Sequence, residues 1–365
     1  MKYIILLAVI VILILLVLNY YPPLGGKSSA ESQKRIKESP QFSDGKFRNA
    51  IPTPMDYSLK DTSEALIQTI KGNPRGRPKG SLPIEPFDAK AFKEKTEDQV
   101  VWFGHSTLLL KVNGVHLLID PVFGQYASPV SYFGPKRYSK KLPAEIKDLP
   151  EIDAVIISHD HYDHLDYGTI RKLKGKVKQF IVPLGVAGHL TKWGVDPDRI
   201  QEQDWWDEHS FQGLTVVSTP ARHFSGRGGN SGSTLWSSWV ILSENSKIYF
   251  SGDSGYGPHF KAIGDQYGPF DLALIESGQY DDRWANIHMT PEEAVQANLD
   301  VQGQRMIPIH WGAFTLALHS WTDPIERVKQ AADQRDLALA TPKIGEIVTI
   351  GTKEFPSSNW WEEID

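Results

Sequence analysis

One short segment constrains this chain more than any other: Ser158-His159-Asp160-His161-Tyr162-Asp163-His164. Three imidazoles and two carboxylates fall within six residues, directly after the apolar run Ala154-Val155-Ile156-Ile157. A continuous apolar run of this length reads as a buried strand, which puts the cluster on the loop leaving its C-terminal end. Neutral imidazole and carboxylate are ligands that suit Zn²⁺, Mn²⁺ or Fe²⁺. The chain has only 12 histidines in 365 residues, so three on one turn argue against a chance surface cluster.

The same arrangement recurs downstream. Val216-Val217-Ser218-Thr219-Pro220-Ala221-Arg222 leads to His223, Ile248-Tyr249-Phe250-Ser251-Gly252 leads to Asp253, and Ile307-Pro308-Ile309 leads to His310. A single histidine after a strand is usually structural. Four strand ends carrying His or Asp in one chain form a sharper pattern, because loops converge there while the strands stay rigid.

Strands are expected at 100–103, 107–112 and 115–119, with a turn at Asn113-Gly114, and later at 179–182, 214–218, 239–242, 247–250, 272–276 and 306–309. Helices are expected at 167–173, 185–193, 290–300 and 324–335. Strands interleaved with helices predict an α/β sandwich with helices outside. Residues 22–98 are rich in Pro, Gly, Ser and charge, and read as a linker and N-terminal arm. Within them a short helix is expected at 61–70, capped by Ser63, with Leu66, Ile67 and Ile70 on one face. The division is therefore 1–21, a hydrophobic membrane anchor or signal segment; 22–98, linker and arm; 99–345, catalytic domain; and 346–365, a C-terminal tail.

Composition excludes several classes. A net charge of −5 without a basic stripe argues against nucleic acid as a partner. The absence of cysteine excludes disulfides, thiolate zinc sites and cysteine nucleophiles. Ile4 to Leu18 is an unbroken apolar run of 15 residues, at the short limit for a spanning helix, with Tyr3, Tyr20 and Tyr21 at its ends. An uncleaved anchor is the expectation and a cleaved signal peptide its competitor; no Ala-x-Ala site follows closely. Lys2 favours a cytoplasmic N-terminus, hence a periplasmic or extracytoplasmic domain, while Lys27, Lys34, Arg35 and Lys37 pull the other way.

His159-x-His161-x-Asp163-His164, followed by His223, Asp253 and His310, resembles the metallo-β-lactamase superfamily, and more closely its N-acyl-phosphatidylethanolamine phospholipase D branch. Supporting words are Trp102-Phe103-Gly104-His105-Ser106-Thr107, Leu118-Ile119-Asp120-Pro121, Gly252-Asp253-Ser254-Gly255-Tyr256, His288-Met289-Thr290-Pro291-Glu292-Glu293 and Ile309-His310-Trp311-Gly312. The likeness runs over about residues 45–340. It implies a four-layer αβ/βα sandwich, preceded here by the N-terminal hydrophobic helix. By that analogy two Zn²⁺ ions are held, with Mn²⁺ or Fe²⁺ as substitutes: the first by His159, His161 and His223, the second by Asp163, His164 and His310. Asp253 would bridge them. Asp163, Asp253 and His288 are the implied catalytic residues. Asp120 is similar to the family's buried acid behind the ligands, His105 would orient a ligand or line the site, and His288 would contact substrate phosphate or protonate the leaving group; Tyr162, between ligands, either contacts substrate or packs. The Gly-rich stretch from Gly226 to Ser233 is either a phosphate cradle or flexible lining.

Metal lowers the pKa of bound water from about 15.7 towards about 7 and can clamp the oxygens of an in-line displacement. The resemblance thus implies a phospholipase D-type hydrolase of N-acyl-phosphatidylethanolamine or a related phosphodiester lipid, yielding phosphatidic acid and an N-acylethanolamine. Its partners would be membrane phospholipid, the membrane itself and, by family analogy, a second copy of the chain. A lactonase acting on a sugar-phosphate or other small lactone, and a non-catalytic envelope protein that binds metal or lipid, are the competing readings.

Overall fold

The computed structural model describes residues 2, 3, 6, 20–54 and 73–364. Of the anchor expected at 1–21 only residues 2, 3, 6, 20 and 21 are described, and the helix expected at 61–70 lies outside the described residues. Among those described, no helix is long and apolar enough to cross a membrane.

Two mixed sheets face each other. The first contains β1 (Gln99–Trp102), β2 (Leu108–Val112), β3 (Val115–Ile119), β4 (Ile152–Ile156), β5 (Val177–Pro183), β6 (Ile200–Gln203) and β13 (Ile347–Thr349), in the order β13-β1-β2-β3-β4-β5-β6. The second contains β7 (Glu208–Phe211), β8 (Leu214–Thr219), β9 (Ser238–Leu242), β10 (Lys247–Phe250), β11 (Leu272–Glu276) and β12 (Met306–Ile309), in the order β12-β11-β10-β9-β8-β7. In each sheet antiparallel hairpins give way to parallel strands: β3, β4, β5 and β6 in the first, β10, β11 and β12 in the second.

Strand alternation explains the apolar runs. In β1 to β3, Val100, Trp102, Leu108, Leu110, Leu117 and Ile119 enter the core between the sheets, where they meet Ile248, Phe250, Leu274 and Ile309. Val101, Leu109 and Leu118 face the other way, towards α1 (Tyr167–Leu173) and α2 (Ala187–Lys192) through Ile170, Leu173 and Leu190. The second sheet buries Val240, Tyr249 and Ile275 against α3 (His259–Tyr267), α4 (Pro291–Asp300) and α5 (Asp323–Asp333). Both faces of both sheets are covered, giving the helix–sheet–sheet–helix order. Asn113 and Gly114 turn β2 into β3 with φ of 49° and 76°, as the Asn-Gly pair predicts.

The chain ends are more integrated than the sequence indicates. Within 346–364, Ile347–Thr349 pairs antiparallel with β1 and covers an edge that would otherwise be open. Trp360 is buried on Trp311, with ring centroids 5.4 Å apart. In the arm, Ser29 caps a helix over Ala30–Glu38, whose Ile36 packs with Phe47, Trp205 and Trp236.

Candidate metal centre

Strand ends of both sheets deliver the functional side chains to one place. His159, His161, Asp163 and His164 follow β4, His223 follows β8, Asp253 follows β10 and His310 follows β12. Donor atoms of His159, His161 and His223 lie within 4.8 Å of one another, as do those of His105, Asp163, His164 and His310. The first of these groups is the first trio expected from the sequence; the second is the other trio with His105 added.

Asp253 stands between the groups. Its Oδ2 is 3.1 Å from His164 Nε2 and 3.8 Å from both His159 Nε2 and His223 Nε2, and its Oδ1 is 3.1 Å from His310 Nδ1. His161 Nδ1 lies 2.9 Å from His159 Nε2 and 3.3 Å from His223 Nε2. Five imidazoles and two carboxylates thus turn donor atoms inward.

Neighbouring groups fix their orientation. His223 Nδ1 donates to Ile287 O at 3.0 Å, so its Nε2 lone pair faces the cluster. Asp120 is fully buried and accepts from Ser158 N at 2.7 Å, Ser158 Oγ at 2.5 Å and His164 Nδ1 at 2.7 Å. It thereby orients both the loop and His164. His105 Nε2 lies 2.8 Å from Asp163 Oδ2 and its ring centroid is 4.1 Å from that of His310, tilted by 37°. Three of these residues adopt left-handed backbone, with φ of 55° at His105, 40° at Asp120 and 67° at His310. Such strain is characteristic of functional sites held by the surrounding fold.

The donor set fits divalent cations. Burial, reinforced by neighbouring imidazoles, holds His159, His223 and His310 well below the usual histidine range, so they stand neutral with lone pairs available. His161 is lowered by burial to about 4. His164 goes the other way: burial opposes its charge, but Asp253 and Asp163 outweigh burial and raise it well above normal. The carboxylates therefore demand positive charge at the centre. His164 Nε2 and Asp253 Oδ1 are buried and make no hydrogen bond, the condition a coordinated ion relieves.

His288 lies at the rim, its ring 5.0 Å from His223 and 5.3 Å from His310. Behind it is Glu276, at the end of β11, with Oε1 3.3 Å from His288 Nδ1. Burial raises Glu276 well above the carboxylate range. Sequence reasoning missed Glu276, although an acid ending the apolar run from Leu272 was a usable signal. Tyr162 contacts the opposite side of the loop: Arg227 lies 4.2 Å over its ring, and Gly228 N donates to its hydroxyl at 3.3 Å.

That opposite side carries a second buried cluster which the sequence reading passed over. Asp160 Oδ1 accepts from Gly226 N at 2.8 Å and Oδ2 lies 3.1 Å from His189 Nε2. Arg227 Nε donates to Asp160 O at 2.9 Å, while its Nη2 donates to Leu165 O. The Gly-rich stretch is a tight hairpin, Gly226–Arg227 against Asn230–Ser231, turned by Gly228 and Gly229. It delivers Arg227 to the back of the histidine loop.

A model of the beta-lactamase superfamily domain matches residues 116–311. An uncharacterized protein of Mycobacterium tuberculosis is 41% identical over 342 residues, spanning 92% of this chain and 91% of that one. The N-acyl-phosphatidylethanolamine-hydrolyzing phospholipase D 1 of Caenorhabditis elegans is 35% identical over 286 residues, spanning 73% of this chain and 80% of that protein. Among solved structures, a metallo hydrolase from Ignicoccus hospitalis shares the fold with a TM-score of 0.54 at 23% identity, covering 71% of this chain and 100% of the other.

Proposed function

This chain belongs to the metallo-β-lactamase superfamily of metal-dependent hydrolases, and on that premise we propose that it is a dinuclear phospholipase D acting on N-acyl-phosphatidylethanolamine or a close phosphodiester relative. The supporting observation is the paired donor set sharing Asp253, whose carboxylate lies 3.1–3.8 Å from four imidazoles. His159, His161 and His223 would hold one ion, and Asp163, His164 and His310 the other. Zinc is the proposed metal, since imidazole and carboxylate in these proportions suit it. Bound divalent metal supplies Lewis acidity towards the phosphoryl oxygens and makes water a nucleophile near neutral pH.

The chain's own residues do the rest. Hydrolysis consumes one water, forms one P–O bond and breaks the P–O bond to the ethanolamine oxygen, which must take up a proton. His288 at the rim is placed to exchange that proton, and Glu276 fixes its ring through Nδ1. His105 steadies Asp163 and Asp120 steadies His164, which keeps the donor set preorganised before substrate arrives.

The test is turnover by purified protein in detergent, with zinc restored after chelation. N-acylethanolamine release that requires zinc and disappears in His310→Ala supports the reading. Absence of release from protein that binds two metal ions refutes the lipid assignment and favours a small lactone as substrate.

A further inference from the structure

The apolar run 4–18 leads into a strap that is clamped to the domain. Trp193 Nε1 donates to Pro22 O at 2.7 Å, Arg227 Nη1 to Pro23 O at 2.7 Å, Lys192 Nζ to Gly25 O at 2.6 Å, and Gly26 N to His189 Nδ1 at 2.9 Å. The contact is close enough to need glycine on both sides. A Cβ at Gly25 would lie 2.2 Å from His189 Nδ1, and one at Gly188 would lie 2.5 Å from the Lys27 carbonyl carbon. The strap at residues 22–27 is therefore fixed on the domain.

Tyr21 Oη donates to Pro129 O at 2.8 Å, which joins the strap to a projecting hairpin. The hairpin stem is paired through Ala127 N to Pro135 O at 3.0 Å and Arg137 N to Gln125 O at 2.9 Å. Buried Arg137 holds its base, with Nη2 donating to Val122 O at 2.6 Å. The tip carries Tyr132 and Phe133, 79% and 73% exposed, and Tyr20 on the strap is 74% exposed. Among the described residues beyond 6, no other large hydrophobic exceeds 38% exposure. A rigid stem holding adjacent aromatics in water is not explained by folding. Between Asp120 and Glu145 the chain has Lys136, Arg137, Lys140 and Lys141 and no acidic residue. Lys136, Lys140 and Lys141 are exposed.

We propose that Tyr20 and the hairpin tip form one docking face whose occupant is the headgroup layer of an anionic lipid bilayer. Tyrosine seats readily at the lipid–water boundary, and lysines beside it attract anionic headgroups. In the sequence the apolar run ends two residues before Tyr20, which favours a bilayer over a soluble protein as the partner. A cavity of about 410 Å³ lies between strap and hairpin, lined in part by Tyr21, Tyr126, Tyr167, Lys172 and Tyr162. Because Tyr162 sits between His161 and Asp163, this cavity and the metal loop share a wall. The inference rests on the reading of the substrate as a membrane lipid.

The chain lacks cysteine, so single-cysteine labelling is clean. Full-length Phe133→Cys and Asp333→Cys, each carrying an environment-sensitive dye, are reconstituted into phosphatidylcholine vesicles containing phosphatidylglycerol and an acyl-chain spin label. The expected result is quenching at position 133 several-fold stronger than at 333, weakening when phosphatidylglycerol is omitted. Equal, weak quenching at both positions overturns the proposal, even where the wild type turns over vesicle-borne lipid. Strong quenching at 133 with no lipid turnover leaves the docking face standing and removes the substrate reading. A Tyr132→Ser/Phe133→Ser variant should lose about tenfold or more of its turnover on vesicles while hydrolysing bis(p-nitrophenyl) phosphate as the wild type does. Equal loss on both substrates contradicts a docking role.

Discussion

The two faces of the loop after β4 are made from alternate residues of one segment, and they do opposite work. His159, His161 and Asp163 turn to the metal centre, where donor atoms crowd together with too few hydrogen bonds among them. Asp160 and Tyr162 turn to the strap, where Asp160 meets Gly226 and His189, and Arg227 covers Tyr162. The front face stores unfavourable electrostatics that a cation would relieve; the back face is satisfied and holds the loop in that arrangement. Reactivity on one side is thus carried by polar saturation on the other.

This contrast makes distinct predictions for the two faces. Removing a front-face ligand, as in His161→Ala, should lower kcat/KM by about 10³-fold or more, since the metal supplies both nucleophile and charge stabilisation. It should leave the thermal midpoint in excess chelator nearly unchanged. His288→Asn should reduce kcat by about 10²-fold, the range for a positioned proton donor, with metal content intact. A fall in metal content equal to that of His161→Ala would instead make His288 a ligand.

Asp160→Ala should behave in the reverse sense. Gly226 N and His189 would lose their buried acceptor and Arg227 its nearby counter-charge, at a cost of about 3–5 kcal/mol, so the chelated protein should melt earlier. Metal affinity should weaken by about 10–100-fold, as expected for a residue that supports ligands without touching the ion. The smallest effect is expected from Gly25→Val, whose side chain would displace the His189 ring and cost about 1–3 kcal/mol. Limited proteolysis should then cut near residues 20–30 faster than in the wild type.

How much of this was legible in the sequence follows the same division. The apolar strands and their terminal His and Asp were readable because both features are local: a run of Val, Ile and Leu, then a ligand type. The back face was not, because Asp160 joins His189 and Arg227 across 29 and 67 residues of sequence. A lone Arg in a glycine-rich stretch gives no sign that a two-residue turn will bury it. The edge strands β6 and β7 escaped because Ile200–Gln203 and Glu208–Phe211 are largely polar, and their pairing is set by the neighbouring strand. The C-terminal segment read as a tail because Ile347–Thr349 is short and gains its role only beside β1.

The most direct test is metal content and affinity in wild type, His161→Ala and Asp160→Ala, measured on protein stripped with chelator and titrated with zinc against a competing indicator. Two zinc ions per wild-type chain are expected, with loss of at least one in His161→Ala and two weakened sites in Asp160→Ala. A wild type that binds no zinc, or an Asp160→Ala protein that loses an ion outright as His161→Ala does, would contradict the division of the loop into a ligand face and a supporting face.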